Sequence, residues 1–180
     1  TYNDDITFEL AFLEAFGDKG HAVTSTEIAE RWTGMIPLGW SAEAVALTNL
    51  RRGVLPPLSG SLENPFDEWI GGQMRGTICG MVAPGQPREA ARLAYLDAQI
   101  SAAGNGILGE VFNAVLASRA YIATDARELL VSTCAIFSTR TEYGAVLAFA
   151  LEACHNAPDW QTAWARCDAE YVEYNWIHVY

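Results

Sequence analysis

At 180 residues, 51% of them hydrophobic, the chain is long enough to bury one sizeable core and leaves little room for a second independent domain. Its formal charge of −11, from 22 acidic and 11 basic residues, repels nucleic acid and anionic membrane surfaces, and no basic run offsets it. The sequence shows no signal-peptide pattern, and its apolar stretches are too short or too interrupted to span a bilayer, so a cytoplasmic protein with neither nucleic-acid nor membrane partners is expected.

The first seventeen residues open on Asn3, Asp4 and Asp5 and run on in a helical apolar pattern. Ile6, Leu10 and Leu13 recur at helical spacing and are expected to face the core, while Asp5 and Glu9, four apart, share another face. Two readings of the acids stand side by side. Adjacent carboxylates are hard oxygen donors suited to Mg²⁺, Mn²⁺ or Ca²⁺. Equally, Asn3 or Asp4 caps the helix and the next acid complements its dipole.

Thr24-Ser-Thr-Glu27 has capping-box spacing ahead of a helix through Trp32, and Ser41 precedes another that stops near Gly53. Residues 53–64 carry the turn formers of a surface loop, and Asn64-Pro65 reads as an N-cap with proline in the first turn of the next helix. That helix would contain Gly71, Gly72, Gly76 and Gly80, each weakening it by about 1 kcal/mol relative to alanine. Close approach of a neighbouring helix or of a ligand would compensate, so the glycines form either a packing seam or a pocket wall. Further helices are expected over 87–101, 106–123, 125–138, 142–156 and 158–174, with the second, fourth and fifth of these central to the core. Between the first two, the Ser101 to Gly106 segment is an interhelical turn, or a loop whose Asn105 and glycine amides meet a phosphate. The fold class expected is therefore all-α.

Cys79, Cys134, Cys154 and Cys167 stand apart in apolar contexts with no paired spacing, and read as buried free thiols of a reducing compartment. No Gly-x-Ser-x-Gly context supports a triad hydrolase. Near the end, His178 and Tyr180 lie among Tyr171, Tyr174 and Trp176, a cluster suited to stacking on a base or ribose, or to core packing.

Three blocks in order carry a resemblance: Asn3-Asp4-Asp5 running into a helix, Ile70-Gly-Gly-Gln-Met-Arg75, and Arg88-Glu-Ala-Ala-Arg-Leu-Ala-Tyr-Leu-Asp97 leading to the Ser101 to Gly106 turn. Together they resemble the ADP-ribosylglycohydrolase family, and the ending Tyr174-Asn-Trp-Ile-His-Val-Tyr180 resembles one branch of it. The resemblance implies an all-α domain with a central cleft holding Mg²⁺ or Mn²⁺, two ions, where water cleaves a ribosyl N- or O-glycoside. It implies that Asn3, Asp4 and Asp5 are metal ligands, with Asp4 and Asp5 also catalytic, and that Gly71, Gly72, Asn105, Gly106, His178 and Tyr180 contact the substrate. Two ions roughly 3.5–4 Å apart would hold substrate oxygens and lower the pKa of a bound water toward neutrality. They would also bring an anionic diphosphate to an acidic protein. The implied substrate is a small-molecule or protein-linked ribosyl or ADP-ribosyl compound.

The chain departs from the family pattern at several positions. Asn3 and Ile6 replace threonines flanking the aspartates, Ile70 replaces an asparagine, and Ala102 replaces a histidine after Ser101. The family's early Gly-Asp-rich block with its acidic residue, and its late Gly-x-Asp-x-Asp block, are not within the sequence. Residues 1–180 are accordingly expected to be the central part of a longer domain, completed by further segments of the same polypeptide or by another chain, or else a relative without a full metal centre. The alternatives to a glycohydrolase are a nucleoside or nucleotide N-glycosidase and a non-catalytic ADP-ribose or nucleotide binder.

Overall fold

The computed structural model describes residues 3–174 and 178–179, and they are all-α. The helices are α1 (Asp4–Lys19), α2 (Ser25–Met35), α3 (Ser41–Arg51), α4 (Leu58–Ser61), α5 (Gly71–Arg75), α6 (Thr77–Met81), α7 (Pro87–Ala98), α8 (Gly104–Ala120), α9 (Ala126–Cys134), α10 (Glu142–Asn156) and α11 (Trp160–Glu170). An isolated antiparallel bridge joins Trp69 to His178. Among the described residues no helix is long and apolar enough to cross a membrane.

Capping chemistry places several helix starts. Asn3 Oδ1 accepts from the Ile6 amide at 3.1 Å, opening α1. Thr24 and Glu27 form both bonds of the expected capping box on α2. Asp125, Thr141 and Asp159 cap α9, α10 and α11.

α1 does not bury the stripe expected of it. Phe8, Ala11, Phe12 and Ala15 face the core, whereas Ile6 and Leu10 remain 54% and 49% exposed. Two apolar stripes interleave along this helix, and the aromatic one wins because its rings bury more area. Phe8 meets Trp32 of α2 edge-on, with centroids 4.4 Å apart.

Asn64 likewise differs from expectation. Instead of capping a helix it is buried, donating from Nδ2 to the Gly60 and Ser101 carbonyls at 2.9 and 3.0 Å and accepting the Phe66 amide at 3.2 Å. An amide that satisfies several buried backbone groups is worth more there than at a helix end. The expected surface loop before it contains α4, and the glycine-bearing helix is interrupted at Gly76 into α5 and α6.

Two hydrophobic clusters share α8. The larger joins α1, α2, α3, α6 and α7 to Ala114 of α8, and the smaller joins Phe112 of α8 to Cys134, Tyr143 and Val179. α11 is peripheral rather than central: Ala163 is its buried residue, while Trp160 and Trp164 are 73% and 63% exposed. The thiols divide similarly, with Cys79 and Cys134 buried, Cys167 half-buried and Cys154 exposed, which corrects the expectation of four buried thiols.

Candidate active site

Asp4 and Asp5 occupy the first turn of α1, and among the described residues neither is ion-paired. They diverge around the helix. Asp4 is half-buried and its charge reaches Glu43 of α3, while Asp5 is exposed and acts on Glu9, whose carboxyl is raised by partial burial and then by Asp5. Asn3 commits its side-chain oxygen to the cap. Among the described residues, no group of three or more His, Cys, Asp or Glu side chains comes together to hold a metal.

Beneath this turn lies a charged network that the sequence reading did not anticipate. Arg75, 1% exposed, closes α5 and is held by three carboxylates. Its Nε donates to Asp97 Oδ2 of α7 at 2.5 Å, one terminal nitrogen donates to Glu43 Oε1 at 3.0 Å, and the other donates to the Ser101 hydroxyl at 3.0 Å and lies 3.3 Å from Glu110 Oε2 of α8. The guanidinium carbon sits 4.8 Å from the Trp32 ring centre and 5.8 Å from that of Phe8. Burial alone would lower the Arg75 pKa, but the surrounding carboxylates, Glu110 foremost, raise it on balance, so it stays a cation.

One arginine cannot neutralise three buried acids. Burial pushes the Glu43 carboxyl up, and the Arg75 guanidinium opposes that shift. Glu110 is pushed well above its ordinary value by burial, despite Arg75, and Asp97 beside it adds to the rise by charge and by a hydrogen bond. Without a shared proton, Asp97 Oδ1 and both Glu110 oxygens lack hydrogen-bond donors. A proton on Glu110, donated toward Asp97, gives Asp97 a donor and relieves the charge between the two acids.

That proton makes a prediction. The folded chain keeps a proton that unfolded Glu110 loses near its reference value of 4.5, so the associated stability is full below that pH and is lost as pH climbs toward the raised folded value. The slope is at most about 1.4 kcal/mol per pH unit. Glu110→Gln supplies an amide donor in place of the proton. Urea midpoints measured from roughly pH 5 to pH 9 should decline in the wild type and decline much less in the variant.

The glycines serve close packing around this network. An added Cβ on Gly71 would overlap the Glu43 carboxylate, and one on Gly72 would lie 3.0 Å from Glu110 Oε2 and 3.1 Å from the Gly106 carbonyl. Gly76 and Gly80 continue the same contact with α8, where a Cβ would sit 2.5 Å from the Glu110 carbonyl and 2.8 Å from the Ser118 amide, respectively. Of the seam and the pocket wall, the described contacts form the seam.

The Ser101 to Gly106 segment leads directly into α8. The Asn105 amide donates to Glu68 Oε1 at 2.7 Å, and its side chain donates to Glu142 Oε2 at 3.0 Å. A carboxylate thus occupies the amide that an anion would approach. Gly106 packs closely on the Asp67 and Glu68 backbone. His178 lies 4.0 Å from Glu68 Oε2 and packs tilted against Tyr174, ring centres 4.7 Å apart, its pKa lowered by burial against the opposing influence of Glu68 and Glu142. Tyr180 lies outside the described residues. Ala102, 4% exposed, is packed beneath Gly60 and Gly106. The chain of contacts runs from Glu43 through Gly71 and Gly72 to Gly106. Asn105, Glu68 and His178 adjoin its far end.

Comparison with known proteins gives one family: residues 1–178 match the model of the ADP-ribosylglycohydrolase family. No curated protein and no solved structure shows a significant match.

Proposed function

The chain belongs to the ADP-ribosylglycohydrolase family, and from that membership we propose that it serves in the divalent-metal-dependent hydrolysis of a ribosyl glycosidic linkage, with Asp4 and Asp5 as metal ligands. The observation that carries the metal assignment is the uncompensated carboxylate pair at the start of α1, set over a network whose acids outnumber its cation. Hard oxygen donors without a cationic partner fit Mg²⁺ or Mn²⁺. The fit is that of a partial donor set, because no larger acidic group assembles among the described residues. Water, substrate oxygens and further protein donors would complete the coordination.

When bound, a pair of such ions supplies a water of lowered pKa and a hold on substrate oxygens. Asp4 and Asp5 hold the charge in place, and the cap at Asn3 and the core contacts of Phe8 fix the turn that carries them. Asn105, Gly106, His178 and Tyr180 are assigned to substrate contact, with Gly71 and Gly72 supporting the backbone between the two ends. An ADP-ribose phosphate approaching the Asn105 amide would have to displace Glu68. The incomplete donor set favours a second reading, an ADP-ribose binder without hydrolysis.

The paired substitution Asp4→Asn with Asp5→Asn tests the assignment. It is expected to abolish tight Mg²⁺ or Mn²⁺ binding in calorimetry and to lower hydrolysis by about a hundredfold or more. ADP-ribosyl-arginine, O-acetyl-ADP-ribose and simple nucleosides serve as substrates, with weak turnover expected of the arginine adduct because Ile70 and Ala102 replace polar residues of the family pattern. Unchanged metal affinity in the double variant overturns the metal assignment. Wild-type chain that binds ADP-ribose and cleaves none of these compounds establishes the binder instead.

A further inference from the structure

A groove of about 500 Å³ lies among α7, α8 and the 136–141 connection from α9 to α10, lined by none of the candidate-site residues. α7 turns Ala90, Leu93 and Ala94 into the larger core and leaves Ala91 to the groove. Leu108, Val111 and Val115 form its α8 wall at helical spacing, and Ile136 and Phe137 form a wall from the connection. These walls are fixed from behind. Phe137 meets Phe112 and Tyr143 edge-on, each with ring centres 5.7 Å apart, while Leu108 packs on the smaller cluster and Val111 on the larger. A groove held in this way binds without the cost of ordering its own walls.

The charge of the groove runs against that of the molecule. The chain has 22 acidic residues and a formal charge of −11, yet no acid lines this groove and Arg88 does. Arg88 is exposed and, among the described residues, forms no ion pair, the adjacent Glu89 being taken by His21 and Arg92. Ser138 adds a hydroxyl that accepts the Arg140 amide at 3.2 Å and keeps its own proton to donate. A nucleotide sugar would leave many polar groups unpaired against such walls. An apolar body ending in one carboxylate matches them, since the body buries against Ala91, Val111 and Phe137 and the carboxylate meets a free guanidinium.

We propose that this groove binds a small amphipathic carboxylate, its alkyl body along the α8 wall and its carboxylate on Arg88. The assignment stands apart from the glycosidic reading and shares no residue with it.

Decanoate is the probe, titrated into the chain at neutral pH by calorimetry, with decanol as its uncharged counterpart and thermal melts in parallel. Wild-type chain should bind decanoate saturably at one site. Arg88→Gln should weaken decanoate by about threefold to fivefold, as loss of an exposed ion pair does, and leave decanol binding unchanged. Ala91→Phe should weaken both ligands by about tenfold or more, because its ring fills the space the alkyl body needs. Should Ala91→Phe fail to fold, Ile136→Glu decides: residue 136 is 59% exposed, so the fold tolerates the change, and a carboxylate there should repel decanoate more than decanol. Wild-type chain without saturable decanoate binding overturns the proposal. So does affinity unchanged in folded Ala91→Phe, or in Ile136→Glu, which puts the ligand elsewhere. Decanoate held equally by wild type and Arg88→Gln overturns the carboxylate assignment. A wild-type dimer in sedimentation that Ala91→Phe dissociates gives the groove to a second copy of the chain and overturns the small-molecule assignment.

Discussion

Arg75→Met is expected to remove a large part of the stability of the folded chain at neutral pH. The substitution leaves Glu43, Asp97 and Glu110 facing one another without their cation, and breaking a buried pair in this way costs about 3–5 kcal/mol. Typical domains have only about 5–15 kcal/mol in total. Urea denaturation followed by circular dichroism should show a sharply lowered midpoint or no cooperative transition. Acidification should restore part of the loss, because without the guanidinium the Glu43 and Glu110 carboxyls, already raised by burial, lose the cation that opposed that rise, and their protonated forms are the stable ones at low pH. Arg75→Lys should fall between, since one ammonium cannot reproduce the separate contacts of Nε and the two terminal nitrogens. A variant as stable as the wild type would mean that the network contributes nothing to folding.

The same small substitution should act with opposite sign at two glycines. At Gly80 a Cβ would lie 2.6 Å from Ala117 Cβ and 2.8 Å from the Ser118 amide, and these atoms belong to α8 itself. Gly80→Ala therefore forces α6 and α8 apart, at a cost of about 1–3 kcal/mol or more. At Gly34 in α2 an added Cβ meets nothing within 4 Å. Gly34→Ala should raise stability by up to about 1 kcal/mol through helix propensity. Thermal melts of the two variants distinguish a packing seam from a general intolerance of substitution.

Local chemistry made much of the fold legible. Thr24 and Glu27 announced the start of α2, and the bounds expected for α10, residues 142–156, are those observed. These signals lie within a few residues of one another and need no tertiary partner. Asn64 shows the limit. Its sequence context is that of a cap, yet its value comes from carbonyls of residues 60 and 101, which only the folded chain brings to it. The same holds for α1, where periodicity offered two stripes and the location of Trp32 chose Phe8 over Ile6. For the candidate site, Asp4 and Asp5 were legible as adjacent acids, and Arg75, Asp97 and Ser101 fell inside recognisable blocks. Glu43 and Glu110 were missed. Each is a lone acid on an alanine- or glycine-rich helix, a pattern that asks for a buried cation, and Arg75 in the glycine-rich segment was the available one.

The position of α8 between the two hydrophobic clusters bears on how the molecule fluctuates. With Ala114 in one cluster and Phe112 in the other, the helix cannot open toward either flank without exposing apolar surface on that flank. Its amides are therefore reached by solvent only when both clusters come apart, so the free energy that protects them approaches that of the whole transition. α11, with its tryptophans already in water, frays at far smaller cost. The seam with Gly72, Gly76 and Gly80 runs along that best-protected helix, and the backbone beside the candidate site thereby belongs to the part of the chain that opens last.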